Sequence, residues 1–409
     1  MVASHSSRWA DVRTQFPGTA AGPYIDVAGR SLFFEGGRAA LNAHLDTLTA
    51  GTVNKLALFE TVEETRRLFA SLIRCTPDEV AFTRNVTDGI AAFAAGIEWK
   101  EGDNVVLCEE LEHPANVYPW FGLGRKFGLR VKTVAPEGGA LSVERIVSAI
   151  DASTRVVTIS SVSFAPGFRF PVAELGAECR RRGVLLVVDA AQSIGVVDTN
   201  VVAWQADAVA ASTQKGLMSL YGLGFLYVRR EVAESLKPTY LSRFGVELDG
   251  HEAQVGDPIS AAYGVGARRF DVGNYNFPAV ITVAPALRLL LDLGPQEVQS
   301  YVFDLARKFT NRILDLGLPV FGGPPGAHSS HIVTVGADIS DNNDVVGNLD
   351  MSSLYQHLVA NGVRLSIRRN LLRFSFHIYN NESDIDVVTA LMTEWVKRRA
   401  HGAAGTANR

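Results

Sequence analysis

The feature that most constrains this chain is a series of short apolar runs set between amphipathic helical patterns. Residues 184–188 are wholly apolar, and residues 155–160 form a β-rich run carrying Val156, Val157 and Ile159. Residues 206–211 and Gly224–Val228 read as two more strands. Between the first two runs, Val172–Arg182 has helical spacing. It ends in Arg180, Arg181, Arg182 and Gly183, the cationic last turn and glycine stop of a helix C-terminus. Upstream, 105–107 and 131–134 read as strands and 115–127 as a helix. Residues 143–150 read as a helix with Val143, Ile146, Val147 and Ile150 on one face. A strand with no polar alternate face must be covered on both sides. The pattern therefore predicts an α/β fold with a mainly parallel central sheet. Ligands in such sheets sit beyond the carboxyl ends of the strands, so the residues just after each run carry the functional question.

After Pro278 the pattern changes. Residues 279–293 and 295–316 read as long helices, 331–335 and 362–376 as strands around a helix at 352–360, and 384–399 as a last helix. This predicts a large α/β domain over 20–280. A smaller α+β C-terminal domain is expected over 281–409, joined by the N-terminal segment 1–19, with a frayed tail at 401–409. Charged residues are 20% of the chain and the formal net charge is −4, which gives no global reason to bind nucleic acid or an anionic membrane. The three cysteines, Cys75, Cys108 and Cys179, contain no CxxC pair, so neither a zinc site nor a disulfide scaffold is expected. The longest apolar stretch, 279–291, is broken by Pro285 and Arg288 and falls short of the ~20 residues of a membrane helix. No apolar leader is visible at the start, and a cytoplasmic protein is expected. Gly122-Leu123-Gly124 with Gly128 superficially resembles a dinucleotide loop but does not follow an apolar strand. No GxxxxGK[ST] or HExxH occurs.

Two strand ends carry chemistry. Asp189 closes the 184–188 run, and a carboxylate there needs a cationic partner, because burying it alone is costly. Lys215 lies just past the next strand, in Ala211-Ser212-Thr213-Gln214-Lys215-Gly216, and a lysine in such a crevice can lose its proton and form a Schiff base. Together they suit pyridoxal phosphate. The lysine would hold the cofactor, and the aspartate would keep the pyridine nitrogen protonated so that the ring draws electrons from Cα.

The order Asp189-Ala190-Ala191-Gln192, then Ser212-Thr213-Gln214-Lys215, then Gly222-Leu223-Gly224 resembles the class V aminotransferase group of fold-type I pyridoxal phosphate enzymes. That group includes cysteine desulfurases, selenocysteine and C–S lyases, epimerases, kynureninases and alanine–glyoxylate-type aminotransferases. The resemblance runs from about Tyr24 to Val396 and implies the following roles. Phe82-Thr83-Arg84-Asn85-Val86-Thr87-Asp88-Gly89 resembles the phosphate loop, with Thr87 as a phosphate ligand and Asp88 beside it on the cofactor side; free N–H groups at a helix start suit phosphate. Glu112-His113-Pro114-Ala115-Asn116, ending in Pro119-Trp120, resembles the segment whose histidine stacks on the ring, which implicates His113. Gln192 would contact the ring 3′ oxygen, and Ser212 and Gln214 the phosphate. The segment Arg269–Asn274 resembles one that reaches the neighbouring subunit's phosphate, which implies a homodimer with shared sites and a role for Asn274. Leu372-Arg373-Phe374-Ser375-Phe376-His377-Ile378-Tyr379-Asn380 resembles the C-terminal signature, in which Arg373 would pair with the substrate α-carboxylate.

Departures from that pattern narrow the reading. Desulfurases place a persulfide-forming cysteine near the C-terminal arginine, but here no cysteine follows Cys179. Gln214 replaces the histidine usual before the lysine in desulfurases and is closer to the alanine–glyoxylate branch. Phe164 stands where desulfurases have asparagine, and Asn274 where threonine is usual. The expectation is an enzyme acting at Cα of an amino acid, foremost by transamination with a keto acid. A C–S or selenocysteine lyase without persulfide chemistry and an epimerase are the alternatives, and a silent binding protein of the same fold is a further one. Side-chain specificity is expected from loops 26–34, 241–263 and 364–370. Arg30, Arg243, Arg368 and Arg369 are the candidates for reading an acidic side chain.

Overall fold

The apolar runs become the strands of a seven-stranded sheet. In the computed structural model, which describes residues 5–247, 261–340 and 345–406, these are β1 (Val80–Thr83), β2 (Asn104–Leu107), β3 (Arg130–Thr133), β4 (Thr154–Ser160), β5 (Leu185–Asp189), β6 (Ala208–Ser212) and β7 (Gly224–Val228). Their order is β1-β7-β6-β5-β4-β2-β3. Every pair is parallel except those made by β7, which runs against both β1 and β6. The carboxyl ends of β1, β2, β4, β5 and β6 consequently share one edge.

Alternation along the buried strands explains the uninterrupted runs. In β5, Leu186 and Val188 enter one apolar cluster while Val187 enters another. In β6, Val209 and Ala211 part from Ala208 and Ala210 in the same way. Each face is thus buried against its own layer of helices, and neither has room for polar residues.

The helix Phe277–Leu293 packs against Glu35–Ala50 and Lys55–Ile73. Residue 280 lies in its first turn. Beyond it, β8 (Ile332–Val335), β9 (Ser366–Arg368) and β10 (Leu371–Ser375) form a three-stranded antiparallel sheet in the order β8-β10-β9. The 362–376 segment is therefore a hairpin. Its two-residue turn, Arg369 and Asn370, is left-handed at φ 52 and 71. The chain's beginning is strapped to this small sheet: the Ile25 N–H donates to Arg364 O (2.9 Å), and the Ser375 N–H to Ile25 O (2.8 Å). Arg13 closes the strap with a bidentate pair to Asp384 (2.8 and 2.9 Å). The tail differs from the expectation of fraying. The helix Glu382–Thr406 runs through its first six residues, where no proline or left-handed stop interrupts the pattern, and 407–409 lie outside the described residues. Among the described residues, no single helix is long and apolar enough to cross a membrane.

Candidate active site

The shared strand edge holds a cavity of about 200 Å³ lined by Thr87, His113, Phe164, Asp189, Gln192, Ser212, Gln214 and Lys215 among others. They arrive from five strand ends: Thr87 after β1, His113 after β2, Phe164 after β4, Asp189 and Gln192 at β5, and Ser212, Gln214 and Lys215 at β6. Asp189 finishes β5 and is buried, with Oδ1 accepting the Ala191 N–H at 2.8 Å. Burial raises its pKa, while that N–H and the Lys215 charge pull the other way. Beside it, fully buried Glu112 accepts from the Ser160 N–H (2.5 Å), Ser160 Oγ (2.6 Å) and Asn116 Nδ2 (2.7 Å). Burial, with the neighbouring Asp189 charge, pushes Glu112 up to about 7. The sequence reading assigned Glu112 no role; its place beside His113 was the only available signal.

Lys215 sits past the end of β6. Burial lowers it to about 8, Asp189 opposes that, and Arg373 and Arg368 add to it. Its turn is held by tight backbone contact. A Cβ on Gly216 would lie 2.2 Å from Ile194 O, and one on Gly195 (φ +91) would lie 2.2 Å from Gly216 O. Glycine is therefore required at both positions. The Gly216 carbonyl also meets His377 Nε2 at 3.0 Å, and His377 Nδ1 accepts the Ile378 N–H at 2.7 Å, so the ring hydrogen sits on Nε2. His377 was quoted with the C-terminal motif but given no role there. Only the fold shows that it buttresses the lysine turn.

His113 offers the cavity a neutral ring. Burial first, then the charges of Lys215, Arg368 and Arg373, lower it to about 4. Its Nδ1 accepts the Ala115 N–H (3.1 Å), and its ring meets Phe164 edge-on at 5.3 Å. Thr87 lies in the first turn of the helix Val86–Ala95, whose start is capped by Asn85 accepting the Asp88 N–H at 2.9 Å. Free N–H groups at that helix end, with Ser212 and Gln214 beside them, make an anion-binding corner.

Arg373, on β10, is 1% exposed. Its Nη1 donates to Phe164 O (2.9 Å) and its Nε to Ser366 Oγ (3.1 Å), and Nη2 lies 3.5 Å from Asp26 Oδ1. Ser366 Oγ in turn donates to Asp26 at 2.7 Å. Burial lowers Arg373 to about 10. Asp26 was not singled out from the sequence, because only the N-terminal strap brings it to a strand more than three hundred residues away.

Two expected cofactor residues, Asp88 and Asn274, do not line this cavity, and for Asn274 that matches its expected reach to a neighbouring subunit. The Asp88 carboxylate turns away from the cavity to Arg84, which donates through its backbone N–H (3.0 Å) and Nη2 (2.7 Å). A carboxylate facing a phosphate would repel it, and this ion pair removes it. Asn274 lines a separate, outward-opening groove of about 790 Å³, with Asp88 and Tyr240. Of the four candidate arginines, Arg369 is buried and donates to Glu110 O, while Arg30 is exposed and Arg243 lies over Phe244. Arg368, on β9, turns Nη1 back to Ile367 O at 2.6 Å. Of the 241–263 loop, 248–260 lies outside the described residues. None of the three cysteines lines the cavity, and burial raises all of them, Cys108 and Cys179 to about 12.

Pyridoxal 5′-phosphate can be tested against these residues. Ser212 Oγ and Gln192 Oε1 are buried with no hydrogen-bond partner among the described residues, and both face the cavity. Buried orphans of this kind call for a polar ligand. With the buried carboxylate of Asp189 between them and Lys215 at the wall, the donor set fits a phosphorylated pyridine aldehyde.

Comparison with known proteins agrees. The family model described as Aminotransferase class-V matches residues 44–388. A probable cysteine desulfurase of Pyrococcus abyssi is 27% identical over 95% of this chain and 97% of its own. The apo structure of a cysteine desulfurase from Thermococcus onnurineus superposes with a TM-score of 0.81 at 24% identity, over 95% of this chain and 98% of its own. The cystine C–S lyase C-DES, solved with its product cysteine persulfide, gives a TM-score of 0.82 at 22% identity over 93% of this chain and 99% of its own. These two structural likenesses establish the fold.

Proposed function

This chain belongs to the class-V aminotransferase family of fold-type I enzymes that use pyridoxal 5′-phosphate, and on that premise we propose that it transfers the amino group of an amino acid to a keto acid. The observation that carries the reading is one cavity lined by Lys215, Asp189 and Phe164, with buried Arg373 held behind it by its 2.9 Å bond to Phe164 O and no cysteine among the lining residues. When bound, the cofactor supplies an electron sink for charge developing at Cα.

The chain's own residues divide the remaining work. Thr87, Ser212 and Gln214 bind the phosphate at the helix start. Asp189 would hold a proton on the ring nitrogen, and neutral His113 would supply an uncharged aromatic wall to the ring. Arg373 exchanges the loose Asp26 contact for the substrate α-carboxylate, which its planar fork can hold by two hydrogen bonds. Lys215 anchors the cofactor. Once released as a free amine, a lysine lowered to about 8 accepts the Cα proton near neutral pH and can return it elsewhere.

The outward groove at Asn274, with exposed Tyr240 and Val272 at its rim, supports a homodimer in which each subunit completes the other's phosphate corner. Three cysteines, none of them in a disulfide, suit a reducing cytoplasm. A second reading, β-elimination from a sulfur amino acid, is favoured by the desulfurase name of the Pyrococcus relative. It would have to release sulfur without a protein persulfide.

The experiment is a visible spectrum of the loaded protein before and after single L-amino acids. Loss of the lysine-linked band with appearance of a keto acid supports transamination. A persistent band with pyruvate and sulfide formed from cysteine or cystine supports the lyase. A protein that shows no such band with added cofactor overturns both.

A further inference from the structure

Resting on that reading, we infer that Thr334 is a positioning residue for the substrate α-carboxylate: it fixes the loop that orients the Arg373 guanidinium. The β8–β10 register sets Thr334 directly opposite Arg373. Opposed residues of an antiparallel pair share a face of the sheet, so the two side chains leave the small sheet together. Both donate to one loop of the large domain, the tip between Val162 and Arg169 that follows β4. Arg373 Nη1 donates to the Phe164 carbonyl at 2.9 Å, and Thr334 Oγ1 donates to the Pro166 carbonyl at 3.1 Å. Just before β8, Ser330 Oγ donates to the next carbonyl, Gly167 O, at 2.7 Å.

The tip is otherwise closed on itself. Ser163 Oγ accepts the Gly167 N–H (3.2 Å) and the Phe168 N–H (3.0 Å), and the Ser163 N–H donates to Phe168 O at 2.9 Å. The carbonyls of Phe164, Pro166 and Gly167 are left to the small domain. Gly167 (φ +92) seats the tip on β8, since a Cβ there would lie 2.6 Å from Ile332 Cβ and 2.8 Å from Ile332 O. Thr334, Ser330 and Arg373 are all buried, so a lost donor leaves its carbonyl without a ready replacement from water. The same tip reaches the cofactor cavity, because Phe164 lines it and meets the His113 ring edge-on at 5.3 Å. The Phe164 carbonyl on Nη1, with Ser366 Oγ 3.1 Å from Nε, sets the plane in which the rest of the Arg373 fork opens. A carboxylate held by two parallel hydrogen bonds depends on that plane. Thr334 itself does not line the cavity; it acts through Pro166 and Phe164 on Arg373. Its loss would misalign the fork without removing its charge.

The test compares two hydroxylamines that differ by a carboxylate, aminooxyacetate and O-methylhydroxylamine. Each displaces the lysine and removes the lysine-linked band of the cofactor-loaded protein. In the unaltered protein aminooxyacetate should react about 10- to 100-fold more efficiently. Thr334→Val removes the donor at nearly constant shape. It should slow aminooxyacetate about 10-fold, while O-methylhydroxylamine keeps its rate and the band its position. Thr334→Ser retains the hydroxyl and should keep the aminooxyacetate rate within about twofold of the unaltered protein. If Thr334→Val does not fold, Ser330→Ala removes the neighbouring grip and should show the same selective loss. Equal slowing of both reagents, or slowing of neither, overturns the inference, because Thr334 would then support the fold alone. No preference for aminooxyacetate in the unaltered protein overturns it together with the carboxylate role of Arg373, and leaves the cofactor assignment standing. A protein that shows no band with added cofactor overturns the proposed function, and the inference with it.

Discussion

Asp189 and Lys215 on one wall, and Asp26 and Arg373 on the other, are assembled by different means. The cofactor wall uses residues that each follow an apolar strand of one parallel sheet, so neighbours in space are consecutive units in sequence. The substrate wall joins a strap near residue 26, the loop at Phe164 and a hairpin at 366–373. Its contacts span hundreds of residues, and its ion pair is loose, with Arg373 Nη2 3.5 Å from Asp26. The comparison teaches that the cofactor wall is built to hold one group permanently, whereas the substrate wall is held in a form that a carboxylate can displace.

The largest expected effect falls on the cofactor wall. Lys215→Ala should remove the lysine-linked absorbance and reduce turnover by roughly 10⁴-fold, read by spectrum and rate together. A variant that kept the band would break the assignment. Asp189→Asn should cost about 10³-fold in turnover, by analogy with the loss of a preorganised electrostatic partner, and weaken cofactor retention on dialysis. On the other wall, Arg373→Lys should raise KM for the amino acid about 10- to 100-fold while the cofactor band stays unchanged. A shifted band would show that the walls are not separable.

Acid should loosen the molecule by a smaller amount. Burial lowers His331 to about 3 and His377 and His113 to about 4, all below the ordinary histidine value. The unfolded chain therefore binds more protons, so stability is complete above about pH 6.5 and is lost as pH falls toward 4. The melting temperature should drop by several degrees between pH 7.5 and 5. Because His331 and His377 flank the substrate wall, hydrogen exchange should rise in the 331–335 and 371–378 segments before β5 and β6. The smallest effect belongs to sulfur. Alanine at Cys75, Cys108 and Cys179 together should change turnover by no more than about twofold, at a modest cost in stability from lost buried volume. A large loss with cysteine as substrate would restore a persulfide route.

Much of the cofactor wall was legible in the sequence, because a parallel sheet places its chemistry at strand ends. Asp189, Gln192, Ser212, Gln214 and Lys215 all follow such runs, and the structure gathers them with His113 and Thr87 around one cavity. Asp88 lies off this cavity because a residue adjacent in sequence on a helix can point to a different partner, here Arg84. Glu112, His377 and Asp26 went unassigned because each acts through a neighbour supplied by the tertiary fold.

The sequence by itself determined the sheet, since apolar runs buried on both faces leave one stable solution, and it determined which strand ends bear the cofactor chemistry. Only the tertiary structure decided that the N-terminal strap carries Asp26 to Arg373, that His377 holds the Gly216 carbonyl, and that Arg369 among the four candidate arginines is spent on Glu110 O. Periodicity is a local property set by which faces are buried. Which distant side chains meet across two sheets depends on register, and no single segment encodes it.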